Sequence, residues 1–317
     1  MSTWEIILQL LITGLANGLI IALIALGYTM VYGIVELINF AHGDVMMLGC
    51  FLALTLVGLC GGEAAAPWLA IGLMLLLVPP FCATLNWVID RHVYRPLRSA
   101  PKLTVLVSAI GVSFVCVNLG MFWGGLPMEV FGDGKQAASA KSFPELLGYY
   151  NLLGEQAAVQ LTYKELMVAL ITVPLMILLT WFVSRTRLGT AMRAVAQNPT
   201  AAQLMGIDVN RVIGLTFLIG GALAGVASVI AALYTGSISF QMGYRNGLDA
   251  FTAAVLGGIG NITGALVGGL MLGLLENWGA GLFGGQWKDA IAFAVLVLVL
   301  MMRPTGLLGE TLGRARA

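Results

Sequence analysis

Long apolar stretches separated by short polar segments are the dominant pattern of the chain. Each stretch is about as long as a helix that crosses the ~30 Å hydrocarbon core of a bilayer. Helices are expected, because backbone polar groups in lipid must be satisfied within the segment itself. The predicted spans are 6–32, 43–60, 68–89, 103–123, 165–183, 212–235, a Gly-rich region at 249–283, and 288–302. The predicted fold class is an all-α polytopic membrane helix bundle with about eight segments, forming one domain over 1–317.

The composition excludes the soluble alternatives. Of the 317 residues, 59% are hydrophobic, whereas only 16 are basic and 15 acidic. Soluble proteins carry about 25% charged residues, so this chain cannot cover a water-soluble particle. Soluble enzymes, nucleic-acid binders and disordered linkers are therefore excluded. No phosphate-binding loop and no nucleophile–histidine–acid set is present, and two histidines with four cysteines that form no CxxC pair favour no metal site. We expect no catalytic residue and no cofactor in this chain.

Basic residues are concentrated in three connecting segments, which the positive-inside rule assigns to the cytoplasm. These residues are Arg91, Arg95, Arg98 and Lys102, then Arg185, Arg187, Arg193 and Arg211, and finally Arg303, Arg314 and Arg316. The long insert at 124–164 then faces outside, together with the N-terminus. A single crossing by 249–283 would place the basic C-terminal tail outside as well. We therefore expect 249–283 to be discontinuous or re-entrant, with its break at the glycines of Leu256–Asn261.

A polar cluster in an apolar neighbourhood is formed by Asn39, His42 and Asp44. It is interpreted either as the lining of a transport pathway or as a loop at the cytoplasmic interface in which Asp44 caps a helix. The second interpretation is favoured. Asp249 resembles Asp44 as the start of a short helix that stops at glycine, which hints at an internal repeat. Asn261, at the predicted break, is a further pathway candidate, and Asn17 and Asn118 are expected to hydrogen-bond neighbouring helices.

Glycines spaced four residues apart predict close helix packing, because small residues then share one helix face. Packing within the subunit is favoured, and contact between subunits is the alternative. The main residues are Gly260, Gly264, Gly268, Gly269 and Gly273, with the pairs Gly14/Gly18 and Gly221/Gly225 spaced alike.

The 184–211 segment contains a short helix pattern that begins with Asn-Pro, continues with small residues and ends at Gly. Such a helix is either a docking element for a soluble partner or an ordinary surface connector. The residues concerned are Arg193, Asn198, Pro199, Ala201, Ala202 and Gly206.

The chain resembles the permease subunits of bacterial branched-chain amino acid ABC transporters. The resemblance rests on stretches in the same order along nearly the whole chain, namely 38–49, 95–98, 193–207, 253–269 and 303–309. It implies a half-transporter in the inner membrane that works with a second permease, two cytoplasmic ATPases that bind ATP and magnesium, and an external substrate-binding protein. The loop motif of importer permeases, Glu-Ala-Ala, three residues, Gly, keeps its spacing at Thr200–Gly206 with Thr in place of the acid. The 184–211 segment is the coupling loop that the resemblance implies.

The function implied by the resemblance is ATP-driven import of leucine, isoleucine or valine by alternating access. Related permeases for urea and short-chain amides share much of the pattern and are the runner-up. A secondary transporter would need coupling-ion carboxylates at mid-span, and none is recognised there. A structural or assembly protein of the membrane is the remaining alternative.

Overall fold

The computed structural model describes residues 2–35, 39–62, 66–134, 136–148, 150–154, 157–303 and 305–309. Arg314 and Arg316, which contributed to the predicted orientation, lie outside these residues. The helices are α1 (Thr3–Val35), α2 (Ala41–Leu59), α3 (Pro67–Ile89), α4 (Lys102–Gly124), α5 (Tyr163–Arg185), α6 (Arg187–Gln197), α7 (Pro199–Leu204), α8 (Val209–Thr235), α9 (Met242–Gly257), α10 (Ile262–Phe283) and α11 (Lys288–Met302). A π-helical turn, Asp90–Tyr94, extends α3, and the strands β1 (Lys141–Ser142) and β2 (Ser237–Ile238) pair antiparallel.

Within the described residues, eight helices are long and apolar enough to cross a membrane. They are α1 to α5, α8, α10 and α11, so the predicted all-α membrane bundle is confirmed. The central helices α1, α2 and α8 are mostly buried, whereas α4, α5 and α11 direct apolar side chains outward. Phe114, Leu170 and Met301 are 66%, 70% and 78% exposed. A continuous apolar rim of this kind is stable in lipid and not in water, so the chain is a multi-pass membrane protein.

The predicted break of the Gly-rich region is confirmed between α9 and α10. Gly258 and Gly260 have φ angles of 108° and 91°, which a residue with a Cβ rarely adopts. The Asn261 side chain accepts a hydrogen bond from Gly264 N at 3.0 Å and donates one to Leu308 O at 2.8 Å. Asn261 is therefore the N-cap of α10, and it also links the turn to residues 305–309. These hydrogen bonds give Asn261 a structural role instead of the predicted role in lining a pathway.

The insert defines one end of the bundle, which we name the insert end. Backbone and side-chain hydrogen bonds join Gln9 of α1 to Gln160 at 2.7 and 3.2 Å, and β1 pairs with the strand that follows α8. Lys141 is buried there, and its ammonium donates to Phe131 O at 2.9 Å and Gln136 O at 2.6 Å. Burial lowers the pKa of Lys141. The Lys141 side chain therefore holds the insert together.

The opposite end, named the loop end, brings together the segment after α3, the start of α8 and the α9–α10 turn. The Arg98 guanidinium donates to Asn210 Oδ1 at 2.5 Å, and Leu308 N donates to Gly257 O at 2.9 Å. The described basic residues of all three basic segments thus belong to this end, away from the insert.

Helices α1 to α3 and α8 to α10 pack in the same pattern. The two most extensive helix pairs are α1 with α10 and α3 with α8, so the first helix of each set lies against the third helix of the other. A Cβ on Gly18 would lie 2.9 Å from Leu270 Cα, and one on Gly225 would lie 2.5 Å from Pro79 Cα. Because α1 starts at the insert end and α8 finishes there, this is the pattern of an inverted repeat.

The four predicted packing glycines within α10 lie against neighbouring helices of the same chain. Gly264 and Gly268 contact α9 at Gly257 and Ala253, while Gly269 and Gly273 contact α1. A Cβ on Gly269 would lie 2.5 Å from Ala22 Cα. These glycines allow backbones to approach within one subunit.

Candidate functional site

Buried polar side chains are gathered where α2 begins. Asn39 is 3% exposed, His42 1% and Asp44 0%. The helix starts at Ala41, and its N-cap, Phe40, makes no side-chain cap bond. The prediction that Asp44 caps a helix in an interfacial loop is therefore wrong, because α2 begins three residues before Asp44, at Ala41. Asp44 lies inside the helix and is buried. The matching prediction for Asp249 is also wrong, since α9 begins at Met242.

Asn39 belongs to a complete hydrogen-bond network. Its Oδ1 accepts from Tyr94 Oη at 2.7 Å, and its Nδ2 donates to Asn86 Oδ1 at 3.2 Å. Asn86 Nδ2 in turn donates to Phe217 O on α8 at 2.6 Å. The network ties the start of α2 to α3, the π-turn and α8, so Asn39 has a structural role.

His42 faces α1 and lacks such partners. Its ring meets that of Tyr28 edge-on, with 4.8 Å between centroids. A Cβ on Gly27 would lie 2.7 Å from His42 Cε1, so the glycine makes room for the ring. Neither ring nitrogen makes a well-formed hydrogen bond in the part of the chain that the structure describes, although the backbone of Ile24 lies beside the ring.

Asp44 lies where α2 crosses α9. A Cβ on Gly243 would lie 2.5 Å from Asp44 Oδ1, and one on Gly43 would lie 2.8 Å from Gly247 Cα. Neither carboxylate oxygen of Asp44 makes a well-formed hydrogen bond in the described residues, although the Ser113 side chain of α4 lies beside the carboxylate. An unpartnered buried carboxylate is costly, and in membrane proteins such groups mark transport pathways.

The sequence interpretation missed a second buried carboxylate, Glu276. It lies inside α10, is 4% exposed, and accepts a 3.3 Å hydrogen bond from Asn17 Nδ2 of α1 on one oxygen. Its other oxygen has no partner in the described residues. The statement that mid-span carboxylates are not recognised is therefore wrong. A lone Glu within the apolar 262–283 run was the signal. Asn17 contacts a neighbouring helix as predicted, whereas Asn118 bonds only Phe114 O of its own helix in the described contacts.

The short helix α7 has the start and stop that its sequence indicates. Asn198 Oδ1 accepts from Ala201 N at 3.0 Å, Pro199 is the first helical residue, and Gly206 has a φ of 84°. Arg193 donates to the carbonyl oxygens of Val183 and Ser184 at 2.8 and 3.1 Å, so it caps the end of α5.

The surface of α7 differs from the predicted one. Ala202 is 5% exposed and packs against its own chain, although Ala201 is exposed. The side chains that project into solvent are Leu204 and Met205, which are 84% and 83% exposed. They form an apolar pair at the tip of the loop, and sequence reasoning missed them because it concentrated on small residues.

The geometry thus comprises a membrane bundle with buried unpartnered polar groups and an apolar loop tip. The sequence model of the family described as "Branched-chain amino acid transport system / permease component" matches residues 10–300. The chain belongs to this family. It is 42% identical to the high-affinity branched-chain amino acid transport system permease protein BraD of Pseudomonas aeruginosa, over 96% of each chain.

Two further relatives extend the comparison. The high-affinity branched-chain amino acid transport system permease protein LivH of Escherichia coli K12 is 38% identical, over 96% of each chain. The autoinducer 2 import system permease protein LsrD of an Enterobacter species is 29% identical over 86% of each chain. No solved structure matches the chain.

Proposed function

We propose that the chain is the permease subunit of an ATP-driven importer that moves branched-chain amino acids into the cell. The observation that carries this proposal is the 42% identity to BraD over 96% of both chains. The partners are a second permease of the same family, two cytoplasmic ATPases that hold ATP and magnesium, and an external binding protein. ATP is hydrolysed in the partners, and this chain supplies the membrane path.

The proposed orientation has the loop end in the cytoplasm of a bacterial inner membrane and the insert end outside. The clustering of basic residues at the loop end supports it. Residues 305–309 bond the α9–α10 turn at the loop end, so the C-terminus is cytoplasmic in this orientation. In a cysteine-free background, Gly285→Cys should react with an impermeant thiol reagent applied outside intact cells, and Gln203→Cys should react only after lysis. Labelling of Gln203→Cys in intact cells would reverse the orientation.

The loop tip of Leu204 and Met205 is the proposed anchor for the ATPase. Apolar side chains that are more than four-fifths exposed are suited to a partner's pocket, and central apolar anchors dominate binding energy at interfaces. Leu204→Ser combined with Met205→Ser should lower ATPase association by at least about tenfold, or ~1.4 kcal/mol. Copurification of ATPase with tagged permease measures it. Leu59→Ser is the control, because Leu59 is 72% exposed at the insert end.

Transport itself is tested with the complete complex in proteoliposomes. We expect ATP-dependent uptake of labelled leucine that a non-hydrolysable ATP analogue abolishes. Uptake of urea or acetamide in place of leucine would assign the runner-up substrate class. Leucine uptake driven by an ion gradient without ATP would instead make the chain a secondary transporter.

A further inference from the structure

The π-helical turn at the end of α3 makes contacts in two directions. Its defining hydrogen bond runs from Arg95 N to Asp90 O at 2.7 Å. Asp90 and Tyr94, the first and last residues of the turn, are both 2% exposed. π-Turns are uncommon and are concentrated at functional sites, so the partners of these two side chains bear on function.

Asp90 is connected through Arg98 to the 184–211 segment, which is named the docking loop because it carries the proposed ATPase anchor. One guanidinium N–H group of Arg98 donates to Asp90 Oδ1 at 2.6 Å, and another donates to Asn210 Oδ1 at 2.5 Å. Asn210 lies in the first turn of α8, whose N-cap is Asp208. Only the residues from Met205 to Asp208 separate that helix from α7. Arg98 thus ties the exit of the docking loop to the end of α3.

Tyr94 contacts residues in the interior of the helix bundle. Its ring lies 5.5 Å from that of Phe217 on α8, and its hydroxyl donates to Asn39 Oδ1 at the start of α2. His42 and Asp44 follow within five residues of Asn39 along the chain. The five-residue turn Asp90–Tyr94 therefore contacts both the start of α8, where the docking loop ends, and the start of α2, which carries His42 and Asp44.

We propose that Arg98 is a positioning residue that transmits movement of the docking loop through the Asp90–Tyr94 turn to the start of α2. This inference rests on the proposed ATP-driven function. Neutralising Asp90 requires only one positive charge, whereas the second bond, to exposed Asn210, adds nothing to that neutralisation. A planar guanidinium is suited to hold two acceptors at once, and a lysine ammonium has neither its shape nor its spread of donors.

The test uses Arg98→Lys and Asn210→Ala in the full complex, with ATPase activity measured with and without loaded binding protein. Both variants should assemble normally, because the charge beside Asp90 remains in the first and an exposed side chain is shortened in the second. The ratio of stimulated to basal activity should fall by at least about fivefold, the lower end of ordinary coupling between sites. Asn118→Ala, which alters another exposed asparagine, should leave the ratio unchanged.

A double-mutant cycle separates transmission from local damage. If the turn connects the two directions, Asn210→Ala and Tyr94→Phe together should lower the ratio by less than the product of their single effects. A wild-type ratio in both Arg98→Lys and Asn210→Ala overturns the proposal. So does loss of Arg98→Lys from the membrane with a normal ratio in Asn210→Ala, because the Arg98 guanidinium is then needed for folding and not for transmission. Failure of the proposed function is distinct, since the wild-type complex would then show no stimulation.

Discussion

Asn39 and Asp44 stand five residues apart and are both buried, but they differ in their hydrogen-bond partners. Asn39 uses both ends of its amide in hydrogen bonds to Tyr94 and Asn86. Asp44 has the Ser113 side chain beside it but makes no well-formed hydrogen bond through either oxygen in the described structure. A satisfied buried group holds a fold together, while an unsatisfied one costs stability and is retained for another purpose. Hydrogen-bond partners, and not burial, therefore distinguish these two residues.

The largest expected effect is from Asn39→Leu. The substitution preserves side-chain size but leaves Tyr94 Oη and Asn86 Oδ1 without their partner. Each unsatisfied group should lower the free energy of unfolding by about 1–3 kcal/mol. Thermal denaturation of the detergent-purified chain measures the loss. An unchanged melting temperature would show that the network is dispensable and would remove the contrast with Asp44.

A smaller effect on stability, and a larger one on transport, is expected from Asp44→Asn. The amide keeps the shape of the side chain and removes a buried charge that no cation neutralises in the described residues, so stability should stay the same or rise by up to about 1 kcal/mol. Leucine uptake by the reconstituted complex should fall at least about tenfold if the carboxylate serves the pathway. Full uptake would indicate that Asp44 is tolerated and not used. Asp133→Asn, in the exposed insert, is the control.

The positions of the membrane helices follow from sequence because bilayer thickness fixes their length. The break at Gly258–Asn261 was likewise predictable, since glycine punctuates a helix locally. The burial of Ala202, the start of α2 and the capping role of Asn261 depend on residues remote in sequence, which the local pattern does not contain. The inverted repeat was only hinted at, through the wrong pair of aspartates, whereas Gly14/Gly18 and Gly221/Gly225 hold its two related helix contacts.

The attachment of residues 305–309 to the α9–α10 turn has a consequence for the order of biosynthesis. Leu307 N and Leu308 N supply hydrogen bonds to the carbonyl oxygens of Leu256 and Gly257, about fifty residues earlier in the chain. Chains are made from the N-terminus, and helix-end carbonyls need partners when buried. While the ribosome is still adding α11, that turn lacks its final donors. The hairpin at the Gly-rich break thus cannot be completed until every membrane helix has been translated.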